Sequence, residues 1–213
     1  MAELSKGSMP GKTGQAGARE RIVQAAISEF SQNGQAGSRV DRIASESGVN
    51  KAMIYYYFSS TENLYRQVIK ELFSAPLTAL RRSLEGHESM EAAIKQILDT
   101  HSEFVLDRPE VIKILLRELA NPNSEIVEMI GGMLRESGLP GEFARRLTKG
   151  VERGEHRPVN VRQAIISLVS MSIGYYLLSP MFAKVLQTGH LPTFIEERKA
   201  AIADLFMNGV KAR

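Results

Sequence analysis

Ser38-Arg39-Val40-Asp41-Arg42-Ile43-Ala44-Ser45-Glu46-Ser47-Gly48-Val49-Asn50-Lys51-Ala52-Met53-Ile54-Tyr55-Tyr56-Tyr57-Phe58 decides how this chain folds. It reads as a short helix, a glycine turn and a second short helix. Ser38 is the expected N-cap of the first, with Asp41 three residues on completing a capping-box-like start. Val40, Ile43, Ala44 and Ser47 then share one helical face. Gly48 ends that helix, because glycine enters the left-handed region at no steric cost. Val49 plugs the turn from beneath. Asn50 caps the second helix, and Ile54, Tyr57 and Phe58 turn back to the core. Ala44 is small where the helices cross, and Ile54 is β-branched beneath the second helix. With the glycine turn between them, this is the spacing of a helix-turn-helix, which offers a helix to a DNA major groove.

At these residues the chain resembles the TetR family of bacterial transcriptional repressors. The resemblance starts near Ala18 with Arg19-Glu20-Arg21-Ile22-Val23-Gln24-Ala25-Ala26-Ile27-Ser28-Glu29-Phe30 and passes through Gly34. It ends with Phe58-Ser59-Ser60-Thr61-Glu62-Asn63-Leu64. In the family a first helix closes at a Phe and a Gly, and Tyr-x-x-Phe marks the end of the recognition helix, here Tyr55-Tyr56-Tyr57-Phe58. The match covers the first third of the chain in detail. An ordered set over about 45 residues is far more specific than a bare helix-turn-helix. The chain departs from the family at Gln35, where Tyr or Phe is usual, and at Thr61, where Lys usually supports a phosphate contact. Thr61 is expected to cap the fourth helix, whose N-terminus still attracts phosphate. The departures imply weaker backbone anchoring.

Base reading is expected from the start and outward face of the second helix: Asn50, Lys51, Ala52, Met53, Tyr55 and Tyr56. Asn50 or Lys51 would supply hydrogen bonds, Ala52 and Met53 apolar contact, and either tyrosine could hold phosphate instead. Ser38, Arg39 and Thr61 are expected at the DNA backbone.

At 213 residues, the chain is long enough for a full core. A net charge of +3 is too small to argue for nucleic acid by itself. The absence of cysteine excludes disulfides, thiolate metal sites and thiol nucleophiles, and fits a reducing cytoplasm. Lys6 and Lys12 are followed by no apolar run, so the start is not read as a secretory signal. Residues 1–17, rich in Gly, Ser and Lys, read as a disordered arm, with Gly7-Ser8-Met9 either native or a cloning remnant.

The expected organisation is all-α: the arm at 1–17, a three-helix DNA-binding head at 18–64, and a larger helical effector-binding and dimerisation bundle at 65–213. Helices are expected at 61–74, stopping before Pro76, and at 77–84, stopping at Gly86. Others follow at 89–106, from Asp107 to about Asn121, from Ser124 to a break at Gly138-Leu139-Pro140-Gly141, and at 142–153, 161–186 and 193–210. Residues 164–178 are the most apolar. They fall short of the roughly 20 apolar residues a membrane span needs, so a buried helix is expected. Ser167, Ser170 and Gly174 make a small stripe that permits close helix approach. The resemblance implies a dimer through the last two long helices, so this stripe is the expected homodimer seam.

Catalytic readings fare badly. The four histidines are scattered, and neither a phosphate loop nor a Gly-x-Ser-x-Gly elbow occurs, so no enzyme, metal or cofactor is expected. An effector pocket is expected in the body, walled by Phe104, Met129, Met133, Met171 and Tyr175, with His101 or Arg117 as polar anchor. The leading reading is a one-component repressor that a small-molecule effector releases from a pseudo-palindromic operator. The alternative is a helical ligand-binding or architectural protein that no longer reads sequence, supported by Gln35 and Thr61 alone.

Overall fold

A computed structural model describes residues 12–85, 89–187 and 191–212, and these are helical almost throughout. The helices are α1 (Lys12–Gly37), α2 (Val40–Ser47), α3 (Lys51–Phe58), α4 (Thr61–Leu84), α5 (Met90–Asp107), α6 (Glu110–Leu119), α7 (Glu125–Glu136), α8 (Leu139–Glu152), α9 (Val161–Val185) and α10 (Leu191–Val210). The all-α expectation holds. The chain divides into two compact units, Met1–Lys70 and Glu71–Arg213.

In the first unit, α1 buries Ile22, Ala26 and Phe30 at four-residue spacing. Ile43 and Ala44 of α2, Ile54 of α3 and Leu64, Tyr65 and Val68 of α4 complete that core. Phe30 meets the edge of Tyr65 at 4.8 Å between ring centroids. The helical path of α1 breaks at Gly34, whose φ of 69° suits glycine. Because α1 begins at Lys12, residues 12–17 are helical rather than part of an irregular arm. Lys6 and the Gly7-Ser8-Met9 stretch lie outside the described residues, as does Gly86.

The second unit closes around Ile94 and Leu98 of α5, Leu147 of α8, Leu168 of α9, and Ile202 and Phe206 of α10. One expected break is absent and another is narrower than expected. Helix α4 continues through Pro76 to Leu84. The proline gives up its hydrogen bond to the Leu72 carbonyl. It lies, however, on the stripe Leu72, Pro76, Leu80 and Leu84, and its burial offsets part of that loss. The second break sits at Gly138 alone, with φ 72°; Pro140 falls in the first turn of α8, where a missing N–H costs nothing.

Helix α9, expected to be buried with part of its cover from a partner chain, is largely uncovered within a single chain. It is long and apolar enough by composition to cross a bilayer, yet only 17% of its most apolar window is buried. Leu168, Ser172 and Tyr175 face the core, while Ile166, Val169, Leu178, Met181 and Val185 are exposed. One wall of neighbouring helices covers one side of α9; the opposite side has no cover among the described residues. Ser167 and Ser170 are exposed with that uncovered side, and Gly174 is partly buried.

Candidate functional site

The turn between α2 and α3 is set by Gly48, left-handed at φ 67°, with the Val49 N–H donating to the Ala44 carbonyl at 3.1 Å. This is a glycine helix stop with its trailing backbone hydrogen bond in place. Asn50 then adopts an extended backbone, and its Oδ1 accepts from the Met53 N–H at 2.8 Å, as the sequence suggested. Asn50→Ala should lower stability by about 1 kcal/mol through loss of that cap. Urea melts of the two proteins, if superimposable, would remove Asn50 from the capping role.

The reading helix divides as expected. Ile54 is 1% exposed and Phe58 6%, while Tyr56 is 72% exposed. Lys51, Ala52 and Tyr55 are also exposed, and Met53 and Tyr57 are partly buried. Lys51 is already engaged: its Nζ lies 3.1 Å from Asp41 Oδ1.

Ser38 does not cap α2. Helix α1 runs to Gly37, which leaves Ser38 one residue short of the cap position, held by Arg39. The Ser38 hydroxyl donates backwards to the Gln35 carbonyl at 2.8 Å. The cap comes from another helix: Glu29 Oε1 of α1 accepts the Arg39 N–H at 2.9 Å. Glu29 is 5% exposed, and its other oxygen is 3.9 Å from Arg42. The signal was a carboxylate four residues after buried Ala25, on the apolar face of α1, where a charge needs partners. Two further clasps escaped sequence reading. Arg21 Nε donates to the Ser47 carbonyl at 3.1 Å, and the Arg19 guanidinium lies 5.5 Å above the Phe58 ring. Thr61 is likewise not a cap. The Ser60 hydroxyl accepts from the Asn63 N–H at 3.0 Å, and Thr61 is the first helical residue.

The expected effector residues gather only in part. His101 Nδ1 and the Ser172 hydroxyl are 3.0 Å apart, and the His101 ring meets the edge of Tyr176. Burial pushes His101 down to about 4. Beside it a narrow cavity of about 10 Å³ is lined by Ser102, Ser172, Tyr175, Tyr176, Arg198 and Lys199, among others. That volume holds one water at most. Burial raises the tyrosine hydroxyls of Tyr175 and Tyr176 above their usual range. The Met171 carbonyl accepts from Arg198 at 3.1 Å. Of the seven expected residues only Tyr175 lines this cavity; His101, Phe104, Arg117, Met129, Met133 and Met171 do not, and α10 supplies the wall that α6 and α7 were expected to give.

A capped, outward-facing helix clamped onto α1 defines a helix-turn-helix DNA-binding protein. Residues 22–68 match the model of the family described as bacterial regulatory proteins, tetR family. The chain is 25% identical over 196 residues to the HTH-type transcriptional regulator RutR of Escherichia coli (strain K12), spanning 92% of this chain and 91% of RutR. It is 30% identical over 141 residues to the uncharacterized HTH-type transcriptional regulator YfiR of Bacillus subtilis, spanning 65% of this chain and 67% of YfiR. Among solved structures, the transcriptional regulator FadR from Bacillus subtilis in complex with stearoyl-CoA aligns with a TM-score of 0.72 at 19% identity, over 89% of this chain and 98% of that one. The chain belongs to the tetR family, and it is a DNA-binding transcriptional regulator and not an enzyme.

Proposed function

We propose that this regulator is a cytoplasmic homodimeric repressor that leaves a pseudo-palindromic operator when a small-molecule effector occupies its body. The observation that carries the DNA-reading half is the exposed row Lys51, Ala52, Tyr55 and Tyr56 on a helix whose opposite side, Ile54 and Phe58, is buried. Asn50 and Met53 complete the base-reading set, and Ser38, Arg39 and Thr61 flank it as phosphate contacts. Footprinting the purified protein on the DNA upstream of its own gene tests this reading: one protected, inverted-repeat site is expected, and uniform weak protection would sink it. Lys51→Ala should weaken operator binding by roughly 1–3 kcal/mol. Unchanged affinity and base preference in an anisotropy titration would take Lys51 off the reading surface.

The uncovered side of α9 supports the homodimer. Exposed Ile166, Val169, Leu178 and Met181 form an apolar surface of the kind soluble proteins cover with a partner. Ser167, Ser170 and Gly174 allow close approach, and beyond the adjoining backbone of α9 no described atom lies within 4 Å of where a Gly174 side chain would begin. Gly174→Leu should weaken the dimer by overpacking that seam. Sedimentation decides: a wild-type monomer at micromolar concentration, or an intact variant dimer, counts against the assignment.

We assign the effector site to the cavity beside His101 and Tyr175, which must widen to admit a ligand. Such a ligand acts only if it binds the DNA-free conformation more tightly, since equal affinity for both shifts nothing.

A further inference from the structure

A groove crosses the second unit where the start of α5, the end of α8 and one face of α10 meet. It has two lobes that share Met90 and Glu155. The larger, about 490 Å³, has Met90, Ala200, Ala203 and Met207 as its apolar lining, with His156 and Lys211 in its wall. Within it Lys95 reaches Glu91 at 2.9 Å, and the Asp204 carboxylate accepts a hydrogen bond from the Asn208 amide at 2.9 Å. The smaller lobe, about 160 Å³, is lined by Arg145, Arg146, Lys149 and Arg153 against the carboxylate of Glu155.

Helix α8 places Arg145, Lys149 and Arg153 four residues apart along one side, a repeat of like charge that weakens an isolated helix. Neighbouring carboxylates offset only part of it. Glu142 holds Arg145 at 2.5 Å and Arg146 at 2.9 Å, and Arg153 comes within 3.9 Å of Glu155. Lys149 forms no ion pair with a described residue.

An independent observation lies in the same groove. His156 is 7% exposed, and its buried Nδ1 has no hydrogen-bond partner. That nitrogen is turned towards Gly150, part of the smaller lobe, and a side chain at 150 would collide with the imidazole. The ring also lines the larger lobe, so it stands where the two lobes join. A buried polar atom left without a partner among the described residues carries a free-energy cost.

We propose that this groove binds a soluble amphiphile with a phosphorylated head, the phosphate among Arg145, Lys149 and Arg153 and the apolar tail over Met90, Ala200 and Met207. Guanidinium forks match phosphate oxygens in pairs, and a multiply charged head answers the cation excess better than a single carboxylate. The site is separate from the DNA-reading helix and from the His101 cavity, and its test does not involve DNA.

The test is calorimetric titration of the full chain with octyl phosphate below its micellar range. Saturable binding at one molecule per chain is expected. Lys149→Ala with Arg153→Ala, both at the surface, should weaken it about tenfold or more. Ala200→Phe, which fills the larger lobe from an exposed position, should weaken it comparably. Inorganic phosphate should bind much more weakly than octyl phosphate, and octanol should give no saturable heat. An affinity unchanged in either variant would place the probe elsewhere, for instance on the uncovered side of α9, and overturn the assignment. So would retention on phosphatidic acid vesicles without binding of monomeric octyl phosphate, which would make the groove a membrane contact.

Discussion

Phe30→Ala should destabilise the first unit by about 3–5 kcal/mol, the range for truncating a fully buried aromatic ring. Phe30 is 0% exposed, and its ring meets Tyr65 at 4.8 Å and an interplanar angle of 72°, so one side chain ties α1 to α4. The surrounding residues are helix-borne and cannot collapse far into the space left behind. A small unit also has little reserve, since whole domains are stable by only about 5–15 kcal/mol. DNA binding should vanish with the fold of the unit. Chemical denaturation followed by circular dichroism is the measurement; a loss below about 1 kcal/mol would mean that this contact does not hold the head together.

Lowering the pH from 7 to 5 should remove about 2 kcal/mol from the second unit, through His101. Burial holds the folded-state value at about 4, against an ordinary value of 6.5. The unfolded chain therefore takes up a proton in a range where the folded chain refuses it. The contribution is complete above about pH 6.5 and is lost as pH falls towards 4. Glu142, held near 2 by Arg145 and Arg146, acts in the same direction but in a lower window, below its ordinary 4.5, and does not obscure the effect. His101→Gln can keep a hydrogen bond to Ser172 without titrating. Urea melts of both proteins at pH 7 and pH 5 would then differ; an equal drop in both would show that His101 is not the group responsible.

The DNA-reading end was legible because its determinants are local. Gly48 and Asn50 act on backbone within three residues, and Ile54 and Phe58 are told from Tyr56 by helical spacing alone. Ser38 misled because its capping value depends on where the previous helix stops, and α1 runs to Gly37. The true partner of the α2 start is Glu29, ten residues back, and only tertiary packing brings it there. Pro76 misled for a similar reason: an isolated helix would break there, whereas a buried stripe carries this one through. The body was less legible still. Met129, Met133, Phe104 and Arg117 lie on helices with apolar faces, but which faces converge depends on how α5, α9 and α10 pack. Residues 164–178 were read as apolar and as needing a partner chain for cover, and within one chain they stay largely uncovered; sequence does not say which side of the helix stays open. The groove at α8 had only a charge repeat to announce it. His156 and Lys211, which complete it, are far apart in sequence.

The contact between Lys51 and Asp41 changes how this protein would search a genome. A lysine that projects into solvent sticks to every phosphate it passes. Here the ammonium group travels with its own anion, 3.1 Å away, and gains from DNA only where something outbids that carboxylate. Along random sequence that exchange should be close to neutral, so the chain is expected to release fewer counterions per site than its cation count suggests. At a site that offers a well-placed base acceptor, the lysine changes partners. Asp41→Asn should therefore tighten binding to arbitrary DNA more than to the operator: the acid next to the reading helix suppresses indiscriminate attachment, at the expense of total grip.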